Sequence, residues 1–186
     1  MPAKSLLEVQ FPIAQLSLES YIERQPYVGK RLGSLGKWWG TKPLVMTRAI
    51  ILASLFEASD DYEKWPEDLE TFLKLMCFDN AGMWKRKTEA LPAALCFAHA
   101  REMEKLLFTD PETWTRRMAA EQRAARENLE KRVFYTLGHT RQREYCCRVE
   151  EIDGPPTESW KEINAYCGTH ASSLQEWVAE MSERRF

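Results

Sequence analysis

The apolar run at 44–56, Leu-Val-Met-Thr-Arg-Ala-Ile-Ile-Leu-Ala-Ser-Leu-Phe, constrains this chain most, and it begins directly after Pro43. Proline suits the first position of a helix, where its missing N–H would be unpaired anyway, with Thr41 or Lys42 at the cap. Leu44, Ile51 and Leu55 then share one face, and Val45, Ile50, Leu52 and Phe56 widen it. A helix apolar nearly all round belongs at the centre of a fold. The run is interrupted by Thr47 and Arg48 and is too short for a bilayer, which needs about 20 residues. It predicts a central helix wrapped by the rest of the chain.

The remaining punctuation is helical too. Pro66 opens a helix with Leu69, Phe72, Leu73, Leu75 and Met76 on its buried side, and Asp79-Asn80-Ala81-Gly82 ends it by turn chemistry. A third helix covers 90–108 with Leu95, Met103, Leu106 and Leu107 inward. Asp110-Pro111-Glu112 gives a cap, a first-turn proline and a first-turn acid, so a long charged helix is expected over 111–137, stopped by Gly138. Thr157 to Cys167 reads as a short helix ended by Gly168, and Ser172-Ser173-Leu-Gln-Glu176 resembles a capping box opening a last helix. Phe11-Pro12-Ile13 reads as the start of an extended piece. Only 143–152, where Tyr145, Cys147 and Val149 alternate, suggests a strand. The expected fold is mainly α, one domain of about five to six helices with at most a short strand or hairpin. It divides into an extended lead-in and basic loop at 1–43, a helical core at 44–137, and a connector with two short helices at 138–186.

Charge is segregated. No Asp or Glu lies between Glu23 and Glu57, and that window holds Arg24, Lys30, Arg31, Lys37, Lys42 and Arg48. A formal +6 in a chain of net −2 leaves −8 for the rest. Four glycines, at 29, 33, 36 and 40, and the adjacent Trp38 and Trp39 fall in the same stretch. Glycines allow close backbone approach and indoles offer stacking faces, so the stretch suits a polyanion. The plainer reading is that the tryptophans plug the core and the lysines are solvated. Arg48 has the same two readings, a phosphate contact or an arginine at the core's edge. The cluster Trp84-Lys85-Arg86-Lys87 reads as a solvated turn.

Other chemistry finds little support. Gly36-Lys37 is followed by Trp38 rather than Ser or Thr, and no G-x-G-x-x-G occurs, so neither phosphate-cradling motif applies. No G-x-S-x-G is present, and no focused pair of carboxylates. Cys167 and His170 have C-x-x-H spacing, but Cys146 and Cys147 would point apart in a strand and no second ligand pair follows, so no metal site is expected. The five cysteines are irregularly spaced, and the N-terminus carries Glu8 and no long apolar stretch. A cytoplasmic protein with reduced thiols, no signal peptide and no membrane contact is expected.

Three groups of residues carry a resemblance: Phe11-Pro12-Ile13, then Leu35-Gly-Lys-Trp38-Trp39-Gly-Thr-Lys42-Pro43-Leu44 with Arg48, and Trp160-Lys-Glu-Ile163-Asn164-Ala-Tyr-Cys-Gly168-Thr169 with Arg184-Arg185-Phe186. They resemble the N-terminal domain of large prokaryotic adenine-specific DNA methylases of the zinc-ribbon-containing type. That family shows a Trp-Trp-x-x-x-Pro-Leu signature. Here Gly40-Thr41-Lys42 replaces Ala-Arg-Arg within it. The match covers both ends of the chain and leaves the middle unanchored.

The resemblance implies an S-adenosylmethionine-dependent DNA adenine-N6 methyltransferase. Neither the family's Asp-x-Phe-x-Gly-x-Gly cofactor loop nor its Asp-Pro-Pro-Tyr motif occurs in these residues, so the expectation is a DNA-holding or bracing fragment, inactive alone. Its partners would be DNA and a methyltransferase domain or partner subunit. The nucleic-acid-binding candidates are Lys30, Arg31, Lys37, Trp38, Trp39, Lys42 and Arg48. The alternative is a non-enzymatic interaction module of a phage-defence or DNA-modification assembly, docking through the helix at 111–137.

Overall fold

The computed structural model describes residues 4–24, 43–104 and 123–185. These are mainly helical, with short connections, no strand among them and two isolated β-bridges. The mainly α expectation therefore holds. The chain divides into two compact units, Met1–Lys85 with Arg148–Phe186, and Arg86–Cys147.

The first unit is built around α3 (Leu44–Leu55), against which α1 (Leu6–Val9), α2 (Ile13–Arg24), α4 (Trp65–Leu75) and α10 (Leu174–Arg185) pack. The residues at 13–24 are helical, not extended as the Phe-Pro-Ile pattern suggested. Pro12 lies just before the first turn, its carbonyl accepting the Leu16 N–H at 3.1 Å, a place where proline favours helix. The chain ahead of it is pinned by the Ser5–Glu57 bridge, with the Leu6 N–H on the Phe56 carbonyl at 2.9 Å. Glu8 accepts from both the Ser5 N–H and hydroxyl at 2.7 Å.

Helix α3 buries Val45, Ala49, Leu52, Ala53 and Leu55. Of the expected apolar positions Leu55, Val45, Leu52 and Phe56 are buried as predicted, while Leu44, Ile51 and Ile50 are turned outward, 60%, 47% and 45% exposed. In a run so uniformly apolar the sequence cannot mark one face over another, and the neighbours decide. Phe56 follows the helix and centres an aromatic cluster with Phe72, Tyr166 and Trp177, at ring-centroid distances of 6.4, 6.3 and 6.4 Å.

Helix α4 places Asp68 inside rather than Leu69. The Asp68 carboxylate is 1% exposed and fully used, accepting from the Ser59 N–H at 2.9 Å and the Tyr166 hydroxyl at 2.7 Å. A buried carboxylate is tolerated because donors replace water. Asp79 does not merely end α4. It accepts the Gly82 N–H at 3.0 Å and so opens α5 (Asn80–Arg86). Further on, α9 (Thr157–Cys167) stops at Gly168, whose φ of 65° is the left-handed cap expected there. Arg184 donates to the Cys167 carbonyl at 2.9 Å and also to the Gly168 carbonyl. The expected capping box forms by half: Ser173 Oγ accepts the Glu176 N–H at 3.3 Å, while the Glu176 carboxylate takes the N–H and hydroxyl of Ser172, one residue before the cap, at 2.7 Å each.

The second unit carries α6 (Ala93–Glu104), α7 (Arg123–Thr136) and α8 (His139–Arg143). Helices α6 and α7 pack together, burying Leu91, Cys96, Phe97, Leu129, Val133 and Phe134. Glu130 accepts the Leu91 N–H at 2.8 Å and pairs with Lys87 at 2.7 Å. The segment at 143–152 is not a strand. It makes a single bridge, Cys146 to Lys87, and then a 3-10 turn over Val149–Glu151. The first half of the expected helix at 111–137 lies outside the described residues.

Candidate functional site

The described part of the candidate site is the N-terminal half of α3 and what surrounds it. Pro43 occupies the cap position, so no side chain of the cap residue can serve the free N–H groups. Glu23, at the end of α2, supplies the missing acceptor. Its carboxylate takes the Leu44 N–H at 2.8 Å and the Val45 N–H at 3.2 Å. A negative charge there also complements the positive end of the helix dipole. The stem of the intervening basic stretch is thereby fastened, residue 23 to residue 44.

Arg48 lies one turn further along. Its guanidinium donates to the Val149 carbonyl at 2.8 Å and to the Ile152 carbonyl at 3.0 Å. These carbonyls flank the 3-10 turn, and a planar fork fits two of them better than an ammonium could. Both terminal nitrogens are thus committed to backbone. Glu150, within that turn, has its carboxyl raised above the ordinary 4.5 by burial, with the Glu23 carboxylate adding to the rise and its own backbone N–H opposing it.

Beside these groups lies a cleft of about 510 Å³ between α3 and α10. Leu44, Ile51, Leu174 and Val178 form its apolar walls, and Glu150 and Asp153 stand at the turn. Sequence reasoning missed the α10 and turn residues, because they lie about a hundred positions from α3 and carry no local motif.

Of the candidate residues, Arg48 is the one described. Lys30, Arg31, Lys37, Trp38, Trp39 and Lys42 lie outside the described residues. The cluster read as a solvated turn, at 84–87, is instead structural. Lys85 donates to the Gly154 and Pro155 carbonyls at 2.8 and 3.0 Å, and Arg86, 1% exposed, to the Cys147 carbonyl at 3.2 and 3.1 Å. Lysine and arginine ends serve as caps for unpaired carbonyls as readily as they face water, and sequence cannot tell the two apart. Cys167 is half-buried, and the loss of water around it pushes its thiol up to about 11, with the nearby Trp177 indole acting in the opposite sense. No group of three or more His, Cys, Asp or Glu among the described residues is placed to hold a metal ion. None of the described helices is long and apolar enough to cross a membrane.

Residues 10–75 match a family described as a protein of unknown function (DUF1156). The matched stretch contains the Trp38-Trp39 signature, Pro43, Leu44 and Arg48. No curated protein and no solved structure matches the chain.

Proposed function

We propose that this chain is the N-terminal helical part of an S-adenosylmethionine-dependent DNA adenine-N6 methyltransferase, where it holds DNA through its basic Gly/Trp stretch and braces the catalytic domain. One observation supports the reading best. The residues that resemble that family sit near the two ends of the sequence, and both ends lie in the same compact unit, Met1–Lys85 with Arg148–Phe186. The stretch without resemblance, Arg86–Cys147, forms the other unit. A segment folded on its own between the two halves of a shared domain is how an insertion behaves.

Within this reading Arg48 braces. Its hydrogen bonds to the carbonyls of Val149 and Ile152 join the family-matched stretch to the C-terminal part of the unit. DNA contact falls to Lys30, Arg31, Lys37 and Lys42, with Trp38 and Trp39 as stacking faces. The methyl donor would be bound by residues beyond this sequence.

The test is duplex-DNA binding by fluorescence anisotropy across a salt series, wild type against the combined Lys30→Ala, Arg31→Ala, Lys37→Ala, Lys42→Ala variant. Each phosphate contact contributes about 0.9 to the slope of log K against log salt. The variant is expected to bind more weakly, with a slope lower by about 2 to 4. Unchanged affinity and slope would sink the DNA role and favour an interaction module, the reading to which the exposed apolar side of α3 lends weight. Trp39→Ala separates the cases further: lost folding means a core role, and lost DNA or partner binding with the fold intact means a site.

A further inference from the structure

We infer that the cleft between α3 and α10 is a docking groove for an amphipathic helix of a protein partner, one that carries a lysine or arginine beside its apolar stripe. The inference is independent of the DNA reading.

The walls come first. Leu44 and Ile51, seven residues apart on α3, give an exposed apolar stripe, and Leu174, 8% exposed, and the half-buried Val178, four apart on α10, line the cleft as the edge of the core. An exposed apolar stripe beside such an edge forms a seat into which a further helix packs. On that lining Leu44 and Ile51 expose 60% and 47% of their surface, in a helix whose opposite side is buried. Contiguous exposed aliphatic surface flanking a concave seat marks an interaction site rather than scattered surface leucines.

The charges choose the occupant. Glu150 and Asp153 both line the cleft, and neither has an ion pair among the described residues. Among the described residues Arg48 is the one cation on the lining, and its terminal nitrogens are turned onto the Val149 and Ile152 carbonyls. Among the described residues the groove therefore offers apolar walls and, at the end beside the 3-10 turn, two carboxylates without an ion pair. An acidic helix would meet repulsion there, and a purely apolar one would leave Glu150 desolvated without a partner. A helix with a cation at that end satisfies both.

The experiment uses the full chain and two synthetic amphipathic peptides of about fifteen residues. Both carry leucine at helical spacing, and the remaining positions are lysine in one and glutamate in the other. Methyl NMR locates binding, and fluorescence anisotropy measures it. The lysine peptide is expected to shift the methyls of Leu44, Ile51, Leu174 and Val178 and to bind at least tenfold tighter than the glutamate peptide. Ile51→Glu, at an exposed position, should abolish binding. The combined Glu150→Gln and Asp153→Asn variant, which alters no packing group, should weaken the lysine peptide at least tenfold and leave the glutamate peptide no weaker. Equal binding of both peptides, or shifts confined to other methyls, overturns the inference. So does a concentration-dependent dimer in sedimentation that Ile51→Glu dissociates, which would make a second copy the occupant. Methyls already shielded in the free monomer overturn it as well, because the groove would then be filled by the chain's own residues.

Discussion

The Glu23 carboxylate and the Leu44 N–H meet at 2.8 Å, so the helix that organises the first unit is capped by a residue twenty-one positions away. Pro43 holds the position where Ser, Thr, Asp or Asn would ordinarily do this. Glu23→Ala is expected to lower stability by about 1 kcal/mol in urea unfolding, the usual cost of a lost cap. Glu23→Gln keeps an acceptor and loses the charge, and should fall between. An Ala variant as stable as wild type would show that the cap contributes nothing.

Arg48 gives a test that separates bracing from DNA contact. Replacing it by Ala removes two charge-assisted hydrogen bonds and is expected to cost about 2 kcal/mol. Arg48→Lys keeps the charge but not the fork, so it should recover little of that stability. If Arg48 served DNA phosphate instead, Lys would restore the salt slope while the Ala variant folded normally. Thermal unfolding and DNA anisotropy on the same two variants decide between these outcomes.

Gly82 is packed so closely that a Cβ there would lie 2.4 Å from the Cys77 Cα and 2.7 Å from its carbonyl carbon. Both neighbours are backbone, and Cys77 already holds a φ of 56°. Gly82→Ala should therefore destabilise by about 1–3 kcal/mol through overpacking. Gly138→Ala is the control. Nothing lies within 4 Å of its Cβ position. A weaker cap and a less flexible unfolded chain oppose each other there, leaving the change within about 0.5 kcal/mol. Urea midpoints compare the two.

The alkaline limb of stability should carry the signature of Cys167. Its thiol titrates near 11 when folded against an ordinary 9.0. Between those values the unfolded chain has lost the proton and the folded chain keeps it, so stability falls as pH rises from about 9 to about 11. Tyr166 acts in the same sense, raised above its ordinary 10.0 by burial and by its hydrogen bond to Asp68. Cys167→Ser should flatten the early part of the decline, and Tyr166→Phe the later part. Urea unfolding at intervals from pH 8 to pH 11 reads the slopes. A slope between pH 9 and 10 unaffected by Cys167→Ser would contradict the assignment.

Local chemistry fixed much of this protein. The positions of Pro43, Pro66, Gly168 and the Ser173 cap set where α3, α4, α9 and α10 begin or end, because caps, fixed φ and left-handed stops act within a few residues. The apolar run at 44–56 marked the central helix for the same reason. What sequence could not fix was direction and partnership. It named α3 central but not which face would be buried, since Leu44, Ile51 and Val45 are alike in hydropathy. It marked Arg48, Lys85 and Arg86 as cations, and only the tertiary structure brought the carbonyls of Val149, Gly154 and Cys147 to meet them. It showed Glu23 as the edge of a basic window, and the fold made it the cap of α3. It read 143–152 as alternating, and among the described residues that segment meets one partner, Lys87, in a single bridge before a 3-10 turn. Each of these depends on groups tens of residues apart along the chain. A charge or a face has no fixed role until the fold supplies its neighbour.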